Sequence, residues 1–315
     1  MKRTAYKRTV VAGALLLGLG LPTPAPVQRR DGLLESGRPA EPVRAVDRRV
    51  LWDLPVTRNA QVETWIAFLQ GRNREQTGLW LQRSGRYAPM IREALRHRGM
   101  PEDLVYLAFI ESGFSPSAYS HARAAGIWQF IAETGRRYGL EVSSYVDERR
   151  DPFKATVAAL DYLQKLHGQF GDWYLAAAAY NAGETRVARI LREQPDGGQR
   201  KGAHGNDAVF WRIAPHLPQE TRDYVPLMLA AGHIDKEPAK YGFVNLDYHG
   251  PLTFETVEVP GGTRLSTIAR AIKVEADDVE ELNPHLVRKM TPPGRLTVVR
   301  IPAGRALRVA HHRAS

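Results

Sequence analysis

Apolar positions recur at helical spacing through most of this chain. Val62, Trp65, Ile66 and Leu69 form one stripe, Leu79, Trp80 and Leu81 mark a second segment, and Met90, Ile91, Ala94 and Leu95 a third. From Pro101 to Pro116 the pattern turns almost wholly apolar. Leu104, Val105, Leu107, Ala108, Phe109 and Ile110 leave little polar face, which predicts a helix over 101–112 buried on most sides. Pro101 suits its first position, Glu102 and Asp103 suit the positive end of its dipole, and Gly113 and Pro116 stop it. A further helical stretch is predicted over Gly126–Tyr138, with Ile127, Phe130 and Ile131 apolar. Asp151-Pro152 opens a helix running through Leu166. Asp172 caps the helix Trp173–Asn181, which Gly183 ends, and Pro218–Ala231 forms the last one. Residues 195–206 read as a loop. Strand signals are nearly absent up to this point. After about Gly242 the character changes. Thr256–Val259 alternate as a strand, Leu265, Ile268, Ala269 and Ile272 as a helix, Val279 and Leu282 as a second helix, and Val298–Ile301 as a second strand. The expected fold class is mainly α, a helical domain followed by one small β-α-α-β unit.

Composition refines that picture. The 315 residues carry a formal charge of +10, spread over scattered arginines with no nucleic-acid motif, which favours an anionic partner such as a polymer bearing carboxylates. Four basic residues in Met1–Arg8 precede twelve apolar ones, Val10–Leu21, the pattern of an export signal and too short to span a bilayer. The expected organisation is a signal peptide over 1–25, a Pro-, Arg- and Gly-rich linker over 26–58, an N-terminal helical part over 59–100, a catalytic domain over 101–235, and the small module over 256–302. The module is expected to carry its own core and to be separable near Asp247. With no cysteine, the chain has no disulfide, thiolate metal site or lipid-anchored cysteine. No metal or other cofactor is indicated, because the ten histidines are scattered. His121 reads as a surface loop residue. The expected location is extracytoplasmic, in the periplasm or cell envelope.

The candidate chemistry centres on Glu111. At the negative end of a greasy helix, both the dipole and desolvation raise its pKa, and a carboxylic acid kept protonated near neutral pH is what a general acid requires. Three other segments are unusual. Ser120–Phe130 joins a loop to Trp128 and Gln129. Ala176–Gly183 sets four alanines before Tyr180 and Asn181, so that another chain can approach closely. The third is Glu220-Thr-Arg-Asp-Tyr224. Aromatic faces with amides and hydroxyls suit a glycan.

On these residues the chain resembles the lytic transglycosylases that cut peptidoglycan, on the branch of membrane-bound lytic murein transglycosylase D. Glu111-Ser112, Gly126-Ile-Trp-Gln-Phe130, Ala179-Tyr-Asn181 and Tyr224 match that family's motifs in order and spacing. The resemblance implies a lysozyme-like helical domain related to goose-type lysozyme, acting on peptidoglycan glycan strands, with Glu111 as the single acid and base. It implies substrate contacts for Ser120, Gln129, Tyr180 and Asn181, and a Tyr224 hydrogen bond to the catalytic glutamate. The implied reaction cleaves the bond between N-acetylmuramic acid and N-acetylglucosamine without water, leaving a 1,6-anhydro ring. Residues 256–302 resemble a LysM module, through Leu265–Arg270, Leu282-Asn-Pro284 and Arg300-Ile-Pro302, with Thr263-Arg264 where the family usually has Asp-Thr. Two alternatives stand beside this reading. A hydrolase on the same fold would need a second acid, and Asp151, Asp161 and Glu184 are candidates that read as a helix cap and as solvated or structural groups. A non-catalytic wall-binding protein would not need Glu111.

Overall fold

A computed structural model of the chain describes residues 51–194 and 208–305. The signal segment 1–25, the linker up to residue 50 and the predicted 195–206 loop lie outside the described residues. Among these, the helical part comprises α1 (Ala60–Gln70), α2 (Arg74–His97), α3 (Val105–Ser112), α4 (Ala132–Arg137), α5 (Pro152–Phe170), α6 (Trp173–Ala182), α7 (Glu184–Arg192), α8 (Ala208–Ile213) and α9 (Gln219–Lys236). The C-terminal module comprises β1 (Phe254–Val259), α10 (Leu265–Ile272), α11 (Ala276–Leu282) and β2 (Thr297–Pro302). The mainly α class with a small two-stranded unit is what the pattern predicts. No described helix is long and apolar enough to cross a membrane.

Two predicted elements differ. The segments around Leu79 and Met90 are one helix, α2, which runs through Pro89. A proline inside a helix removes one hydrogen bond and crowds the preceding turn. Here Leu81, Tyr87, Ala88, Ile91 and Leu95 are buried on either side of it, and their packing keeps the helix continuous. The stretch predicted as helix from Gly126 begins as a turn, with Ala125 bridged to Phe130, and α-helix starts only at Ala132. Gly126 has φ +81°, and a side-chain carbon there would lie 1.7 Å from the Arg149 carbonyl oxygen. That approach leaves room only for glycine, and the positive φ puts Gly126 outside the α-helical region.

Helix α3 is the centre of the helical part. Val105 through Ile110 are all buried, against α9 and α2. A 3-10 turn, Glu102–Leu104, precedes it, so Pro101 stands just outside the helical turns. Gly113 closes α3 at φ +58°, and a side chain there would strike Trp80 at 1.9 Å. The four alanines of α6, Ala176–Ala179, are all buried, and their small size lets α5 and α9 pack on either side.

In the module β1 pairs antiparallel with β2, from Phe254 opposite Pro302 to Val259 opposite Thr297. Leu265, Ile268, Ile272, Val279, Val299 and Ile301 form its core, and the helical part contributes Val146 to that same core. The module has a core of its own and is also docked on the helical part. Val146 bridges to Leu286, the Asp147 amide donates to the His285 carbonyl at 2.8 Å, and the Val287 amide to the Tyr145 carbonyl at 3.1 Å. Phe153 meets Phe254 edge-on at 5.2 Å. Asp151 caps α5 by accepting from the amides of Phe153 and Lys154, as its position predicts. It also receives the module's Arg300 at 2.8 Å and faces His285 at 3.4 Å, and only 1% of it is exposed. Two backbone donors and a cation overcome the burial that alone would raise its pKa, and with His285 they hold it below the ordinary value. Even the connection between the parts is fastened, since the His249 amide donates to the Gln82 carbonyl on α2.

Candidate active site

Glu111 is the penultimate residue of α3, so the fully buried face of that helix holds its backbone rigidly. Its carboxyl accepts one hydrogen bond, from the Tyr224 hydroxyl of α9 at 2.6 Å. Burial raises its pKa to about 7. The Tyr224 hydrogen bond pulls the other way, and the Glu220 carboxylate adds to the rise. No cation stands among these influences. Half of such a group is protonated at neutral pH and half ionised, so it can both give and take a proton there. Tyr224 and Tyr180 are pushed well above the usual phenol range by burial, with the Glu111 charge adding to it, so both remain O–H donors.

The other predicted residues converge on the turn 126–130. The Ser112 hydroxyl donates to the Ile127 carbonyl at 2.9 Å, tying the end of α3 to that turn. The Tyr180 hydroxyl, from α6, donates to the Trp128 carbonyl at 2.8 Å. Gln129 has φ +47° and its side-chain amide donates to the Gly126 carbonyl at 2.8 Å, a constrained backbone held by its own side chain. Trp128 is fully buried and donates to Thr156, so its ring belongs to the core and not to a sugar-binding face. Ser120 is buried, and its hydroxyl accepts from the Ala124 amide, which shapes the 120–124 loop. Asn181 accepts from Thr221 at 2.8 Å and donates to Glu220 at 3.2 Å, and so joins α6 to α9 beside Tyr224. Glu111, Tyr224, Tyr180, Gln129 and Asn181 are thus linked through three helices and one turn. Ser120 sits farther along that loop, with its hydroxyl engaged locally.

Two residues matter here that the sequence reading did not single out. Glu220 is exposed and acts on Glu111 by charge. Its place in the same short segment as Tyr224, one helical turn away, was the available signal. Arg149 is buried, pairs with Asp147 at 2.7 Å, and donates to the Arg123 and Phe130 carbonyls at 2.7 and 2.9 Å. It neutralises and holds both ends of the loop that carries Gln129. The run Asp147-Glu-Arg-Arg-Asp151 signals ion pairing, but only the folded chain reveals the carbonyls it serves. The other candidate acids lie elsewhere in ion pairs: Asp161 with Arg98 at 2.6 Å and Glu184 with Lys165 at 2.8 Å. Among the described residues no group of three or more His, Asp or Glu is placed to hold a metal.

Residues 89–202 match the family described as Transglycosylase SLT domain, and residues 253–315 match Lytic transglycosylase MltD, LysM-like domain. Part of the chain is thus similar to SLT-type transglycosylase domains, and a second part to the LysM-like domain of lytic transglycosylases. Membrane-bound lytic murein transglycosylase D of Escherichia coli K12 is 45% identical over 157 residues, which are 50% of this chain and 33% of that protein. Membrane-bound lytic murein transglycosylase C of Actinobacillus succinogenes is 31% identical over 36% of this chain and 36% of its own length. Among solved structures, lytic transglycosylase Slt from Pseudomonas aeruginosa shares 27% identity over 48% of this chain and 24% of that one, with a TM-score of 0.37. The chain spans about a third of the length of the curated relatives it matches. The matched LysM-like span begins at the foot of β1, and the matched SLT span ends before α9. The placement of Tyr224 and Glu220 at the site therefore rests on geometry.

Proposed function

We propose that this protein is an exported peptidoglycan lytic transglycosylase that cleaves the β-1,4 bond between N-acetylmuramic acid and N-acetylglucosamine. The observation that carries this reading is Glu111: a shielded carboxyl at the end of a buried helix, with a pKa raised to about 7 and a tyrosine hydroxyl donating a hydrogen bond to it. Glu111 protonates the glycosidic oxygen as the C1–O bond breaks. The neighbouring acetamido oxygen stabilises the oxocarbenium-like centre, so no second carboxylate is needed as a nucleophile. The ionised Glu111 then takes the proton from the 6-hydroxyl of the same sugar, whose oxygen closes on C1. The proton that left Glu111 is restored, and the product is a 1,6-anhydro ring. The Tyr224 hydroxyl stabilises the carboxylate between the two steps, when the charge exists. Gln129, Tyr180 and Asn181 position the glycan, and Ser120 orders the loop beside it.

A hydrolytic outcome is the second reading, and Glu220 is the observation that favours it. It is an exposed carboxylate electrostatically coupled to Glu111, the kind of group an inverting enzyme uses to activate water. Product mass separates the two. Mass spectrometry of the fragments released from purified sacculi should show anhydro-muramic ends, lighter by one water than hydrolysed ends. Products carrying that water would establish the hydrolase.

A further inference from the structure

Where the LysM-like module docks, it closes a cleft with the helical part. The cavity is about 580 Å³, walled by α2 on one side, by the Phe114–Ser117 loop on a second, and by the module's Glu280–Lys289 edge on the third. Its loop wall starts at Phe114, two residues beyond the end of α3, the helix that carries Glu111. Four cations line it, Arg83, Arg86, Arg150 and Lys289, against two carboxylates, Glu280 and Glu281. Both carboxylates are already taken: Glu281 pairs with Arg86, and Glu280 with Lys289 at 2.5 Å.

Hydrogen-bonding capacity is left over on the cationic side. Among the described residues the Arg83 guanidinium makes one long hydrogen bond, to the Gly113 carbonyl at 3.5 Å. Arg150 donates to the Ser117 carbonyl at 3.2 Å, while its Nε is buried without an acceptor and stands 3.8 Å from Asp147. The Nε of Arg86 is likewise buried without an acceptor. Buried N–H groups lacking acceptors are costly, and guanidinium groups are suited to receiving carboxylates. Between the cations the walls are apolar, with Tyr87, Phe114, Pro284 and Val287 among the lining residues. A ligand that matches both features carries carboxylates on a short, partly aliphatic chain.

We propose that this interdomain cleft binds the acidic peptide stem of peptidoglycan, with Arg83 and Arg150 receiving its carboxylates. The proposal rests on the peptidoglycan reading above. A stem of four residues extends to roughly 14 Å, enough to leave a sugar bound at Glu111 and enter a cleft that begins at Phe114. The module then acts as a fixed third wall of the substrate site.

The test uses full-length protein and two probes that need no turnover: a synthetic acidic tetrapeptide stem, and a peptide-free tetramer of N-acetylglucosamine. Calorimetry at low salt should show saturable binding of the tetrapeptide. Arg83→Gln should weaken it about tenfold, and Val287→Glu, which adds a negative charge to the module wall at a side chain 43% exposed, by a similar factor. Neither variant should change binding of the N-acetylglucosamine tetramer. Absence of tetrapeptide binding, or tetrapeptide binding indifferent to both variants, overturns the proposal. Equal weakening of both probes overturns it too, because the cleft would then hold glycan. Cleavage of sacculi that depends on Glu111 but comes without peptide binding removes this proposal alone. Peptide binding without any cleavage removes the catalytic reading and leaves the cleft.

Discussion

Glu111 and Asp151 are both shielded carboxylates at helix ends, and the fold drives them to opposite charge states. Glu111 lies at the negative end of α3, and among the described residues a tyrosine hydroxyl donates to it while no cation contributes to its pKa. Burial dominates, and its pKa rises to about 7. Asp151 lies at the positive end of α5, with two backbone amides and Arg300 around it. There the partners outweigh burial and its pKa falls. Helix polarity and partner count decide whether a buried acid is a movable proton or a fixed charge. The first suits an active site, and the second fastens two parts of a molecule together.

The strongest way to break the comparison is at Glu111. Glu111→Gln keeps the shape and removes the transferable proton, so turnover on sacculi should fall by at least about 10³-fold while the fold persists, because one group serves both proton transfers. Stability should respond in the opposite sense. A buried acid with a raised pKa destabilises the fold once it is ionised, so wild-type stability falls as pH rises from about 4.5 through 7. The Gln variant should escape that loss and be the more stable of the two at pH 8, by at most about 3 kcal/mol. Denaturation at pH 5 and pH 8 checks this, and an unchanged difference between the two pH values would mean that Glu111 is well solvated.

Asp151→Asn keeps a side chain able to cap α5 but removes the buried counter-charge of the half-buried Arg300. Removing one partner of a buried pair costs roughly 3 kcal/mol or more. Because the folded pKa is depressed, the advantage of the carboxylate is present above about 3.8 and is lost as pH falls through and below that value. The gap between wild type and variant in urea denaturation should therefore be full at pH 7 and close below pH 4. A variant that loses less than about 1 kcal/mol at pH 7 would show that the module is held chiefly by Val146, Phe153 and Phe254.

The smallest effect sharpens the account of Glu111 itself. Tyr224→Phe removes a donor that favours the ionised form, so the alkaline limb of the pH profile of kcat/KM should move upward from about 7, with a rate loss of about tenfold. Glu220→Gln removes a nearby negative charge and should move the same limb downward. Limbs that move together, or stay still in both variants, would place the titrating group elsewhere.

Much of this was legible in the residues. The buried helix ending on Glu111 follows from an apolar run closed by Gly113, and the β-α-α-β unit from a change of period after Gly242. The misreadings have physical causes. Pro89 suggests a break that the buried flanks of α2 override. Ile127 and Phe130 mimic a helical stripe where Gly126, with its positive φ, starts a turn. The module's docking was not legible, because it depends on Val146 and Asp151, from a stretch with little periodic signal of its own.

The chain by itself determined the elements and their caps and pointed to Glu111 as the candidate acid, because these depend on neighbours within a few turns. Tertiary structure alone decided what those groups do. Glu111 and Tyr224 are 113 residues apart, and Asp151 and Arg300 are 149 apart. Desolvation and charge pairing depend on which distant atoms replace water around a carboxylate. That replacement exists only once α3, α9 and the module have packed.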